Sequence, residues 1–208
     1  MKRVYGSSEF PTVTTTGPDD PPARRVDSEG RPIGANEIRL VDDDGRDVPP
    51  GVEGEILARG PECFLGYRDA ALDAEAFTAD GWFRTGDLGT LDAVGYLRIT
   101  GRRKDIIIRK GENISARELE DLIAAHPAVA EVAVVGVPDP AAGEIACAVV
   151  RLRAGARAPA LAELTERLTA QGLSRRKLPE RLEVVADFPR TASGKIVKRA
   201  LRDRLGGH

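Results

Sequence analysis

Four short runs in this chain hold side chains whose types and spacing suit a phosphorylated ligand. In PRTASGKIVKR (residues 189–199), Gly194 permits a backbone bend that other residues resist, and Lys195 follows it just before a helical pattern. A single ammonium on such a loop is a mobile point charge, suited to a phosphate or a developing oxyanion. The run is not a Walker A loop, since the earlier glycine is missing and Ile196 stands where a Ser or Thr is needed. By itself it reads first as a helix-start lysine in solvent. TGDL (residues 85–88) places Asp87 at what reads as a tight turn between strands. A carboxylate there can accept hydrogen bonds from two vicinal hydroxyls, as a ribose offers, or can make an Asx turn to its own backbone. YGSSEF (residues 5–10) joins an aromatic ring, a glycine, two hydroxyls and Glu9. An exposed carboxylate can hold Mg²⁺ beside phosphates, because that ion takes few protein oxygens and keeps its waters; solvated surfaces also carry such groups. GRRKDIIIRKGEN (residues 101–113) sets charge on both sides of an isoleucine run. That pattern fits an edge strand guarded against aggregation, or cations at a domain junction that grip a nucleotide while one domain swings.

These groups need elements to position them. In the first half, EIRLVDD (37–43), EGEILARG (53–60) and GYLRITG (95–101) predict strands, and residues 69–77 have helix-forming composition before an Asp80-Gly81 turn. Residues 11–32, rich in Pro, Thr, Gly and Asp, predict an extended or looping segment. After Gly101 the pattern changes. A β-branched strand at 105–109 precedes a KGEN turn, and Ser115-Ala-Arg-Glu118 is a capping box that opens a helix to about Ala125. Leu119, Leu122 and Ile123 form its apolar face. Strands are predicted at 129–137, 145–152 and 182–185, and helices at 161–168 and 196–205, the last basic and amphipathic. The expected architecture is α+β: a β-rich, barrel-like part over residues 1–100, a hinge at 101–104, and a small α+β domain over 105–208.

Composition narrows the function. At 208 residues, 41% hydrophobic and 31% charged, the chain has the profile of a globular protein. A formal net charge of -2 argues against a dedicated nucleic-acid binder. No apolar run approaches the roughly 20 residues of a membrane span, and the polar N-terminus lacks the core of a secretory signal. Cys63 and Cys147 lie far apart, as do His126 and His208, so no metal-ligand spacing is present and a cytoplasmic protein with reduced thiols is expected.

The order and spacing of YGSSE, GEILARGPECFLGY, GWFRTGDLG, GRRKDIIIRKGENISARELE and PRTASGKI resemble the C-terminal part of the adenylate-forming superfamily. That superfamily includes the acyl-CoA synthetases, peptide-synthetase adenylation domains and firefly luciferase, and the GEN-containing stretch is nearest to the acyl- and aryl-CoA ligases. The resemblance implies that Tyr5 stacks on adenine, that Ser8 sits beside the phosphates and that Glu9 holds Mg²⁺. It implies that Asp87 accepts both ribose hydroxyls, that Arg102 helps hold the sugar and that Ile99 packs near the nucleotide. Lys104 falls at the hinge position, Gly111 on the loop used in the thioester step, and Lys195 at the adenylation lysine. The implied co-substrates are a carboxylic acid, ATP and CoA. In the family the small domain rotates between the two half-reactions.

The family's phosphate loop and most of its acyl pocket precede YGSSE, so these 208 residues alone are expected to be inactive and to work with a missing N-terminal portion of the same enzyme. The residues of YGSSEF are accordingly expected to be exposed or loosely ordered. A peptide-synthetase-type fragment that loads a carrier protein, or a non-catalytic nucleotide-binding module, is the alternative. The Pro-x-x-x-x-Gly-Lys spacing of residues 189–195 further resembles a lysine acetylation site, which would remove the charge the proposed role needs. Arg175, Arg176 and Lys177 are either CoA-phosphate contacts or a solvated basic surface.

Overall fold

The computed structural model describes residues 2–206; His208 lies outside them. The chain divides into two compact units, Met1–Arg103 and Lys104–His208. The mixed α+β class expected from the sequence is the one observed. Among the described residues no helix is long and apolar enough to cross a membrane.

The first unit holds β1 (Val4–Tyr5), β2 (Thr14–Thr15), α1 (Pro22–Asp27), β3 (Arg31–Pro32), β4 (Glu37–Val41), β5 (Gly54–Arg59), α2 (Ala70–Ala76), β6 (Phe83–Leu91) and β7 (Leu97–Arg102). Two antiparallel sheets form, β1-β2-β3 and β4-β5-β6-β7. A single bridge between Gly30 and Leu97 links them, through Glu29 N–H to Leu97 O at 2.7 Å and Leu97 N–H to Gly30 O at 2.8 Å. The barrel-like part is therefore open among the described residues: β1 and β4 remain the two ends of the pairing path. In β5, Gly54 to Ala58 are all buried, because both faces are covered. Ile56 and Ala58 pack with Phe10, Val13, Leu40, Phe83 and Leu97, while Leu57 packs with Val41 and Trp82. The guanidinium groups of Arg39 and Arg59 lie 4.9 and 4.4 Å from the Trp82 ring centre and shield it from water.

Residues 11–32 are more structured than their composition predicts. The two-residue strands β2 and β3 arise from backbone pairing alone, and α1 starts on Pro22 and buries no side chain. Neither leaves a hydrophobic period in the sequence. Gly30 is the critical joint of this region. Its φ is +84°, and a Cβ there would lie 2.0 Å from the Thr15 carbonyl carbon. Gly30→Ala is expected to destabilise this unit by roughly 2 kcal/mol or more. Urea unfolding followed by the fluorescence of Trp82, the only tryptophan, measures it; an unchanged midpoint would contradict the assignment.

The second unit holds β8 (Ile106–Arg109), β9 (Glu112–Ser115), α3 (Ala116–Ala124), β10 (Val129–Asp139), β11 (Gly143–Leu152), α4 (Leu161–Ala170), β12 (Arg181–Val184) and α5 (Lys198–Gly206). The sheet order is β10-β11-β8-β9, with β12 parallel to β11. Side chains alternate between two cores. Val134, Ala148 and Val150 face Leu119 and Ile123 of α3 and Leu164 and Leu168 of α4. Ala133, Val135, Cys147 and Val149 face Leu201 and Leu205 of α5. Helices on both faces explain the near-continuous apolar run of β10. The capping serine is confirmed, with Ser115 Oγ accepting the Glu118 N–H at 3.3 Å. The last helix begins at Lys198 rather than 196, because Ile196 is spent on a bridge to Arg190.

Candidate functional site

A bulge builds the first constellation. Gly86 takes φ +70°, and the Thr85 hydroxyl donates to Ile56 O at 2.7 Å while accepting the Asp87 N–H at 3.1 Å. Asp87 thus sits within β6, on an irregular stretch opposite Ile56, rather than at a turn between strands. The glycine in TGDL marked the kink, but composition alone does not separate a bulge from a turn. Asp87 pairs in register with Arg102 of β7, and Arg102 Nε lies 2.8 Å from its Oδ1. The Tyr5 hydroxyl donates to Oδ2 at 2.8 Å. The carboxylate is buried, with a cation on one oxygen and a phenol on the other. Burial, and then the Asp87 charge, raise the Tyr5 pKa well above its usual range, so the phenol stays a donor.

Tyr5 is buried, not exposed or loose as expected, and so is Phe10. The reason is apolar area: both rings pack into the cluster of Val13, Leu40, Phe83 and Leu97, and the hydroxyl finds a partner. Between them Gly6, Ser7 and Ser8 are exposed, as expected. Ser7 N–H donates to Phe10 O at 2.9 Å, and Ser7 Oγ accepts the N–H groups of Glu9 and Phe10, each at 3.2 Å. This turn presents Glu9 at the surface, where Glu9 Oε1 accepts the Tyr67 hydroxyl at 3.1 Å. The Glu9 carboxyl is held below the usual range, first by its own backbone amide, then by Ser7 and Tyr67, with a smaller contribution from Arg102. An ionised, half-exposed carboxylate fits the single protein ligand that Mg²⁺ needs beside phosphates. Tyr67 was not singled out from sequence; only its place in the GEILARGPECFLGY run hinted at it. Ile99 of β7 is partly buried against the same cluster.

The second unit carries the remaining candidates on separate loops. Gly111 is exposed at the tip of the β8–β9 hairpin. The two-residue loop Lys110-Gly111, with φ +50° and +80°, has the positive angles of a type I′ turn. Only Lys110 and Gly111 of the expected KGEN turn are outside strands. Lys104 is exposed in a 3-10 turn, and its carbonyl accepts Arg202 Nη2 at 3.1 Å. Lys195 is exposed on a loop closed by Thr191 N–H to Lys195 O at 2.9 Å, Gly194 N–H to Thr191 O at 2.9 Å, and Lys195 N–H to Thr191 Oγ at 3.1 Å. Among the described residues its ammonium has no carboxylate partner. By contrast, Lys177 and Lys198 lie 2.7 and 2.8 Å from Glu118 and Glu120. Arg176 pairs with Glu112 at 2.7 Å, and with Arg109 and Lys110 it lines a cavity of about 250 Å³. Of the histidines and cysteines, His126 is buried and its Nδ1 accepts the Ala128 N–H at 3.2 Å. Burial pushes the Cys147 thiol up to about 11. Among the described residues no cluster of three metal-ligating side chains occurs.

Residues 1–68 match the family model of the AMP-binding enzyme, and residues 118–195 match that of the AMP-binding enzyme C-terminal domain. The chain is 42% identical to the medium-chain fatty-acid–CoA ligase of Escherichia coli (strain K12), over 96% of this chain and 35% of that protein. It is 45% identical to the pyochelin synthase PchD of Pseudomonas aeruginosa, over 99% of this chain and 37% of that protein. The crystal structure of ATP-bound MatB from Rhodopseudomonas palustris superimposes with a TM-score of 0.90 at 36% identity, covering 98% of this chain and 40% of that one. The chain thus spans about a third of the length of the curated relatives it matches.

Proposed function

Because the chain belongs to the adenylate-forming, AMP-binding enzymes, we propose that it forms the C-terminal part of an ATP-dependent acid–thiol ligase that makes acyl- or aryl-CoA. The observation that carries the reading is the contrast between two placements. A buried carboxylate backed by Arg102 and Tyr5 is suited to a ribose diol, and an unpaired lysine on a braced loop is suited to an anion.

The chemistry needs both. A carboxylate is a poor acyl donor until its oxygen is made part of a leaving group. Its oxygen attacks the α-phosphorus of ATP, the bond to the bridging oxygen breaks, and pyrophosphate leaves with that electron pair. Lys195 would meet the α-phosphate and the acyl carboxylate together and offset the repulsion between two anions. Asp87 would accept the ribose hydroxyls, with Arg102 on the same sugar, and Tyr5 would stack on the adenine. Ser8 and Ile99 would flank the phosphates and the base. Mg²⁺, when held at Glu9, supplies charge neutralisation at the phosphates. In the second half-reaction a CoA thiol attacks the acyl carbonyl, its proton is lost and AMP departs. Lys104 would be the hinge, and the exposed tip at Gly111 the segment presented to the thiol.

A test is a chimera in which these residues replace the equivalent segment of a full-length CoA ligase relative. The chimera is expected to release pyrophosphate with a carboxylate and to form a CoA thioester, while the 208 residues alone stay at background. A folded chimera that makes no adenylate, or clear turnover by the chain alone, overturns the reading. The match to a pyochelin synthase favours a second reading, transfer to a carrier-protein thiol. Adenylate formation with no CoA thioester but with carrier acylation would select it.

A further inference from the structure

The lysine loop is a closed hairpin: besides its internal bonds, Val197 N–H donates to Pro189 O at 2.8 Å, and Arg190 bridges to Ile196. The flanks of the loop are anchored on the core, with Phe188 buried and Ile196 packed against the same cluster, while residues 191–195 between them stand exposed. The side chain that ties this exposed stretch to the sheet is Arg190. Its Nη1 donates to Gly194 O at 3.0 Å, the carbonyl immediately before Lys195. Its Nη2 donates to both carboxylate oxygens of Glu131, each at 2.8 Å. Glu131 is in turn fixed from the sheet. It stands on β10 just after a register shift that follows Val129, and Arg151, its cross-strand partner on β11, donates to it through Nε at 2.7 Å. Arg151 Nη2 lies 2.6 Å from the same carboxylate oxygen.

We propose that Arg190 and Glu131 are positioning residues for Lys195, a clamp that fastens the lysine loop to the sheet so that the ammonium is held ready rather than searching. The proposal rests on the reading of Lys195 as the adenylation lysine. Only a guanidinium serves here. One planar group reaches a carbonyl with one nitrogen and a carboxylate with the other, and a lysine in its place can satisfy a single direction. An exposed ion pair alone contributes little to stability, but several charges joined in one network, here Arg190, Glu131 and Arg151, hold their side chains in one geometry. The Glu131 carboxyl is held below its ordinary range, by Arg190 first and Arg151 second. Asp187, 3.8 Å from Arg190, is the other acid facing the clamp. Pre-ordering matters because a catalytic cation that is already in place loses less freedom when substrate arrives.

Backbone ¹⁵N relaxation on the 208-residue chain tests the clamp. In the wild type, order parameters at Thr191, Ser193, Gly194 and Lys195 are expected near the rigid value of about 0.85, and in Arg190→Ala they should fall below about 0.6. Arg190→Lys should fall most of the way, since it keeps the charge and loses the fork. Glu131→Gln should fall part of the way. Order parameters at Val134 and Val149 in the sheet, and the urea midpoint, should not move. Unchanged loop order in Arg190→Ala, full rescue by lysine, or an equal loss of order in the sheet would each overturn the proposal. The readout needs no reaction, so a failure of Lys195 itself in adenylation would leave this result standing and would show separately.

Discussion

Lys195→Ala in the completed chimera is expected to slow adenylate formation by about 10²–10³-fold, the usual cost of removing one donor aimed at developing charge. Thioester formation from supplied acyl-adenylate should stay within a few-fold of normal. The split follows from what each step asks. Adenylation brings a carboxylate against a phosphate, and the ammonium offsets that repulsion; the thiol's attack on a carbonyl already bonded to AMP has no second anion to neutralise. Separate assays of pyrophosphate release and of acyl-CoA from acyl-AMP distinguish the two. Equal loss in both would show that the lysine serves folding or general binding. Lys198 gives the internal control. Its ammonium is engaged by Glu120 at 2.8 Å and lies 3.5 Å from Asp105, so Lys198→Ala should lower stability and depress both steps alike.

The candidate side chains stand out in the sequence because each lies in a short local run. TGDL, GRRKD and SGK each keep their candidate side chain beside a glycine or basic residues. The capping serine at 115 and the apolar face of α3 were legible for the same reason. What sequence could not show depends on partners far along the chain. Nothing near Tyr5 announces that its hydroxyl meets a carboxylate 82 residues away. The expected exposure of YGSSEF followed from the family segment that precedes it, whereas Tyr5 and Phe10 are covered by the apolar cluster of this unit itself. Asp87 read as a turn because a glycine with positive φ serves a bulge as well as a hairpin. Among the described residues the barrel-like part is open, and alternation within each strand carries no information about how two edge strands meet. Nothing in the sequence singles out Glu131 and Arg190; only the third dimension makes them neighbours.

Asp87 is where structural and functional roles most need separating, and two substitutions do it. Asp87→Ala is expected to destabilise the first unit by about 2–3 kcal/mol, since it removes the carboxylate that accepts the buried Tyr5 hydroxyl and leaves Arg102 without its acid. Arg102 is half exposed and water can solvate it, so most of the loss belongs to the phenol. Tyr5→Phe added to Asp87→Ala should therefore recover part of the stability, read from urea unfolding by Trp82 fluorescence. Asp87→Asn behaves differently. Its amide oxygen can still accept the Tyr5 proton, so the fold should lose about 1 kcal/mol or less, while the charged acceptor for a ribose is gone. AMP titrated into the chimera should then bind at least about tenfold more weakly to Asp87→Asn, because a hydrogen bond to a charged group is worth about 1.5–3 kcal/mol. Asp87→Asn with near-normal stability and weak AMP binding assigns the carboxylate to the sugar. The same variant binding AMP as tightly as the wild type would leave Asp87 as a structural acceptor for Tyr5, and the ribose contact would have to fall to another residue.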